Sequence, residues 1–153
     1  MPGGLRGPAA EGSVRTPMFE VETRTVTGRP AAVGSAGPFT LVVDRPADGG
    51  GDGIGFNGGH LLYLAVPGCV SNDLYREGAT MGIKLDSVRV RVRGDFAGDP
   101  PVSSAVEYEV EIAGDADPER LRELVEHVDR IAEIPNSLRG ATPVELSRIE
   151  PSR

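Results

Sequence analysis

The residue with the most chemistry in this chain is its single cysteine, Cys69, set in Ala65-Val66-Pro67-Gly68-Cys69-Val70-Ser71. A thiolate is a strong nucleophile and the neutral thiol is not, so the first question is what would ionise it. An unperturbed thiol titrates near ~8.5, which leaves only roughly a few per cent as the anion at neutral pH. Burial moves that balance toward the thiol, and a guanidinium in reach moves it back. One cysteine excludes an internal disulfide and a cysteine-based zinc site. It fits a reducing compartment, and so a cytoplasmic protein. His60 and His127 are too far apart to read as a paired ligand motif, and no Ser-His-Asp order is legible, so neither a metal nor a cofactor is expected. On the residues alone, a lone cysteine in an apolar helix is more often a small hydrophobe than a reagent.

A second candidate is Gly53-Ile54-Gly55-Phe56-Asn57-Gly58, which matches G-x-G-x-x-G. A dinucleotide loop needs that motif at a strand end, opening a helix, with an acid on the next strand tip. Several loop residues intervene here after Pro46, so a flexible, hinge-like loop over 47–59 is the better reading. No lysine follows the glycines, which excludes a Walker loop.

Cys69 is positioned by the stretch from Gly59 to Gly82. Its first half holds Leu61, Leu62, Leu64, Ala65, Val66 and Val70 and is apolar nearly all round, so it reads as a buried central helix that other elements must wrap. Asn57 is placed to cap it. Pro67 lies inside it and is expected to kink or split it near Val66, leaving a carbonyl or two unpaired beside the cysteine.

Strands are expected over Phe19–Val26 and Phe39–Asp44, with a short one over Ala31–Ser35. Val88–Arg93 and Val106–Ile112 alternate strictly, and each should bury one face. With the turn near residue 100, Arg89, Arg91 and Arg93 oppose Glu111, Glu109 and Glu107. The valines then share the other face with Tyr108 and Ile112, and a one-residue slip would turn them to water. Asp117-Pro118-Glu119 opens a helix with an N-cap, a first-turn proline and an acid. Its stripe of Leu121, Leu124, Val125, Val128, Ile131 and Ala132 ends before Pro135, and His127 falls off the stripe, toward the surface. A loop over Asn136–Thr142 and a last strand over Pro143–Ile149 complete an α+β order.

The 153 residues suffice for one domain with a core, read as 18–153 behind a flexible N-terminal arm at 1–17. A net charge of −7 argues against a nucleic-acid surface. No stretch reaches the length of a membrane span, and no apolar core of a signal peptide is legible at the start.

The run GFNGGHLLYLAVPGCVSNDLYREGATMGIKLDSVRVRVRGDF and the later PERLRELVEHVDRIAEIPNSL resemble the OsmC/Ohr family over about residues 18 to 150. The resemblance implies an OsmC-like α+β fold with antiparallel sheets around the central helix, in an intertwined homodimer. It also implies a thiol-dependent peroxidase for organic hydroperoxides. Cys69 falls where that family has its peroxide-reacting cysteine, and Arg29, in Thr27-Gly28-Arg29, falls near the arginine that steadies the thiolate. Two positions depart from the pattern. Ile134 before Pro135 stands where the family has its second cysteine. Gly59, followed by His60, stands where it has the glutamate that pairs with the arginine, leaving His60 or Asp52 as replacements.

Two readings follow. In one, Cys69 reduces an organic or lipid-like hydroperoxide in an apolar dimer-interface pocket lined by Leu62, Val66 and Ile134. With no second thiol, an external thiol must then reduce the sulfenic acid before it over-oxidises. In the other, the protein is a non-catalytic member of the fold that binds a small apolar ligand, and the cysteine is inert.

Overall fold

The computed structural model describes residues 19–142 and 144–151, and the expected N-terminal arm lies outside them. The chain divides into two compact units, the first ending at Phe56 and the second beginning at Asn57.

The first unit is an antiparallel meander, β1 (Glu22–Thr25), β2 (Ala32–Ala36) and β3 (Phe39–Val43), in sheet order β1-β2-β3. β1 is shorter than Phe19–Val26 because β2 supplies partners only from Ala32 to Ser35, opposite Thr25 to Glu22. After β3 the chain does not hang loose, as the expectation of a hinge-like loop had it. Asp44, only 3% exposed, accepts backbone N–H bonds from Arg45 (2.8 Å), Asp52 (3.0 Å) and Ile54 (3.1 Å). Phe56 then pairs in parallel with Val43. Gly51 and Gly55 permit this close wrapping. A Cβ on Gly51 would lie 2.1 Å from the Arg45 carbonyl oxygen, and one on Gly55 would lie 2.5 Å from that of Val42. Gly55, of the stretch that mimics a nucleotide loop, is thus required by packing against β3, and Gly51, just before that stretch, by packing around the Asp44 carboxylate.

Burial opposes the charged form of Asp44, but the N–H groups of Ile54, Arg45, Asp52 and Gly53 outweigh it and hold the carboxyl below its ordinary range. A carboxyl lowered in the folded state stabilises above its unfolded value and loses that contribution as pH falls through the folded one. Protection of the Asp52 and Ile54 amides, taken against the free-peptide exchange rate at each pH, should therefore hold down to about pH 3.9, the ordinary aspartate value, and fall only below it. In Asp44→Asn that protection should be lower than in wild type at every pH above this value.

The second unit holds α1 (Gly58–Thr80), the hairpin β4 (Leu85–Ala97) and β5 (Val102–Gly114), α2 (Pro118–Ile131) and α3 (Glu133–Gly140). The hairpin has the expected register: Arg89 faces Glu111, Arg91 faces Glu109 and Arg93 faces Glu107, while Val88, Val90 and Val92 face Ile112, Val110 and Tyr108. The strands run two to four residues past the alternating cores at each end, with irregularities at Leu85/Ser87 and Asp95/Phe96. The charges also pair diagonally, Arg91 reaching Glu111 at 3.3 Å as well as Glu109 at 3.2 Å.

Three expectations for this unit are corrected. α1 is not split at Pro67 but runs on as one helix, although the proline gives no N–H to the Tyr63 carbonyl. α2 stops before Pro135, as expected, but the chain does not stay out of a helix there: Pro135 sits in the first turn of α3, where its missing N–H would have had no intrahelical acceptor. Ala132, in extended conformation, is both the C-cap of α2 and the N-cap of α3, so the expected loop at 136–142 is mostly helix. Finally, 144–151 form no strand, and among the described residues nothing pairs with them. The overall class is α+β, as expected.

The core of this unit joins Val66, Val70 and Leu74 of α1 to Ile83, Leu85, Leu124, Val128 and Ala132. α1 is therefore covered along one stripe only. Leu64 is 51% exposed and Tyr75 49%, so the helix expected to be wrapped on all sides presents an apolar flank.

Candidate functional site

α1 starts where the sequence predicts. The Asn57 side chain accepts from the His60 N–H at 2.8 Å, and His60 Nδ1 accepts from the Asn57 N–H at 3.2 Å. The histidine thus takes the place a glutamate usually has in a capping box. Three turns along, Cys69 lies half-buried against the core. Its Sγ donates to Oδ2 of Asp73 at 3.8 Å.

Asp73 is only 6% exposed. Its other oxygen, Oδ1, is paired with Arg76 Nη1 at 2.7 Å. Arg76 in turn reaches Glu77 at 2.9 Å, and Glu77 Oε2 meets His127 Nε2 of α2 at 3.1 Å. His127 is therefore not a plain surface residue but ties α2 to α1. Arg76 first, and His127 second, hold the Glu77 carboxyl below its usual range. The line Cys69, Asp73, Arg76, Glu77 follows the i, i+4, i+7, i+8 face of one helix. That spacing was available in the sequence, but the second half of the helix read simply as polar.

Arg29 and Cys69 lie in different units, and the contact the structure shows for Arg29 is with Asp52. Arg29 Nε donates to Asp52 Oδ2 at 3.1 Å, and Nη2 lies 3.0 Å from Oδ1, so the guanidinium is gripped by a two-pronged fork. Of the two residues proposed to replace the missing glutamate, Asp52 pairs with Arg29 and His60 caps α1.

A cavity of about 250 Å³ opens in the second unit between Val66 of α1, Ser103 and Tyr108 of β5, and Pro135, Leu138 and Arg139 of α3. Val66, expected to line a pocket between two chains, lines this cavity within one, and Ile134 packs against the core. The Tyr108 hydroxyl donates to Asp129, which also pairs with Arg139 at 2.7 Å. Burial and that carboxylate push the Tyr108 phenol up to about 12. Among the described residues no group of His, Cys, Asp and Glu could hold a metal ion, and no helix is long and apolar enough to cross a membrane.

A sequence profile of OsmC-like protein matches residues 49–147. The chain belongs to the OsmC family. Solved structures of the same fold include the OsmC-like protein of Mycoplasma pneumoniae, at 14% identity and TM-score 0.70, covering 83% of this chain and 91% of that one. The organic hydroperoxide resistance protein OsmC of Legionella pneumophila matches at 15% identity and TM-score 0.60, covering 84% and 92%. The organic hydroperoxide resistance protein OhrB of Bacillus subtilis matches at 18% and 0.56, covering 80% and 91%. No curated protein matches. The OsmC profile spans α1, the hairpin, α2 and α3, and thus Cys69 with its Asp73 contact, but not Arg29.

Proposed function

We propose that this protein reduces organic hydroperoxides with Cys69 as its only redox residue and a small external thiol as reductant. The observation that carries this reading is the place of the thiol: half-buried and seated on the core along α1, in a family with organic hydroperoxide resistance proteins among its structural relatives. The ionised sulfur attacks the terminal peroxide oxygen. The O–O bond breaks, sulfenic acid forms, and the alkoxide leaves as the alcohol after taking a proton. One external thiol then displaces water from the sulfenic acid to give a mixed disulfide. A second releases Cys69 and leaves as the external disulfide. Arg29 is the proposed electrostatic helper, and in that role its fork with Asp52 must open.

A homodimer is part of the proposal. The uncovered flank of α1 at Leu64 and the exposed Phe39 (75%), Leu146 (80%) and Ile149 (72%) support a second copy as their cover. A single domain over 18–153 and a cytoplasmic location, where a thiol stays reduced, belong to the same reading.

The test is mass spectrometry after a stoichiometric pulse of cumene hydroperoxide. The expected product is one added oxygen on the peptide containing Cys69, removed by later addition of a small thiol. An unmodified Cys69 would leave the second reading, a non-catalytic member of the family. The cavity floored by Val66, Pro135 and Leu138 favours an apolar ligand for that reading.

A further inference from the structure

We infer that Asp73 is a positioning residue that restrains Cys69, holding the sulfur through the Sγ to Oδ2 hydrogen bond, with Arg76 setting the strength of that hold. The inference deepens the peroxidase reading and rests on it for its purpose, though not for its test. The two oxygens of Asp73 divide their work: Oδ2 accepts from Cys69 Sγ at 3.8 Å, and Oδ1 meets Arg76 at 2.7 Å. A bond accepted from the neutral S–H favours the thiol, and a negative charge beside the sulfur disfavours its ionisation. With the Asp73 side chain only 9% exposed, little water weakens that field.

The charges facing this pair come from three elements. Arg76 and Glu77 stand on α1, His127 on α2 touches Glu77, and Glu133 on α3 acts on Arg76. Arg76 partly neutralises Asp73, so the restraint is graded. Such a restraint suits a protein with no second cysteine, because an idle thiolate has no partner within the chain to rescue it from over-oxidation.

The experiment measures alkylation of Cys69 by iodoacetamide at pH 7 in the intact protein, with no peroxide present. Asp73→Asn keeps the shape and removes the charge, and it should alkylate faster, on the order of tenfold. Arg76→Gln leaves Asp73 uncompensated and should alkylate several-fold more slowly than wild type. The opposite signs separate this role from a structural one, since loosening α1 would speed both variants. Equal rates in wild type and Asp73→Asn, or acceleration in both variants, would overturn the inference. Failure of the peroxidase reading looks different: the alkylation pattern holds while cumene hydroperoxide leaves Cys69 unoxidised.

Discussion

Replacing Cys69 with serine is expected to reduce thiol-dependent loss of cumene hydroperoxide by on the order of a thousandfold or more, to the rate seen without protein. The size of the effect follows from the chemistry. A hydroxyl is scarcely ionised at neutral pH and its oxygen is a poor nucleophile toward peroxide. No second thiol exists in the chain to take over. Folding is not in question, because Cys69 sits at the edge of the core and serine is nearly its size. The measurement is the rate of hydroperoxide consumption with dithiothreitol, wild type against Cys69→Ser. Equal rates would remove the cysteine from the mechanism.

The second large effect is on stability. Leu74→Ala should destabilise the second unit by about 2–5 kcal/mol, the range for a fully buried leucine whose cavity cannot collapse. Leu74 has no exposed surface and belongs to the cluster with Leu124, Val128, Ile83 and Leu85, which joins α1 to α2 and the start of β4. The readout is the urea midpoint, which should fall at nearly constant slope. Leu64→Ala is the control on the same helix. At 51% exposed it should move the midpoint of the isolated chain little.

How much of this was legible in the sequence depended on whether a pattern was local. The hairpin was legible residue by residue, because alternation fixes which face is buried and the arginines and glutamates fix which residues face each other. The caps at Asn57 and Asp117 were legible because a cap is a bond to an amide three residues on. Pro135 misled because proline ends one helix and opens another with equal ease, and only the extended Ala132 before it separates the cases. The expected last strand failed for a related reason. Val144-Glu145-Leu146-Ser147 has a strand's composition, but pairing is a property of a partner and no local pattern reports one.

At the site, the cysteine was found at once and its neighbour was not. Asp73 stood four residues away, but a carboxylate on a helix reads as solvated until its burial is known. Asp52 is legible in the sequence as a candidate partner of Arg29, but its glycine-rich loop reads as loose. The reason the loop is ordered, Asp44 gathering N–H groups from across eight to ten residues, depends on distances that spacing does not give.

The fork between Arg29 and Asp52 has a consequence for timing. The carboxylate that neutralises this guanidinium hangs from a short turn, held by hydrogen bonds to the Asp44 side chain and to the carbonyls of Arg45 and Pro46, not from a long helix with a leucine-lined seam. Segments of that kind open far more often than the body of a protein unfolds. Release of the arginine's positive charge can therefore occur as a brief, local excursion of a few residues, repeated many times within the lifetime of the intact fold.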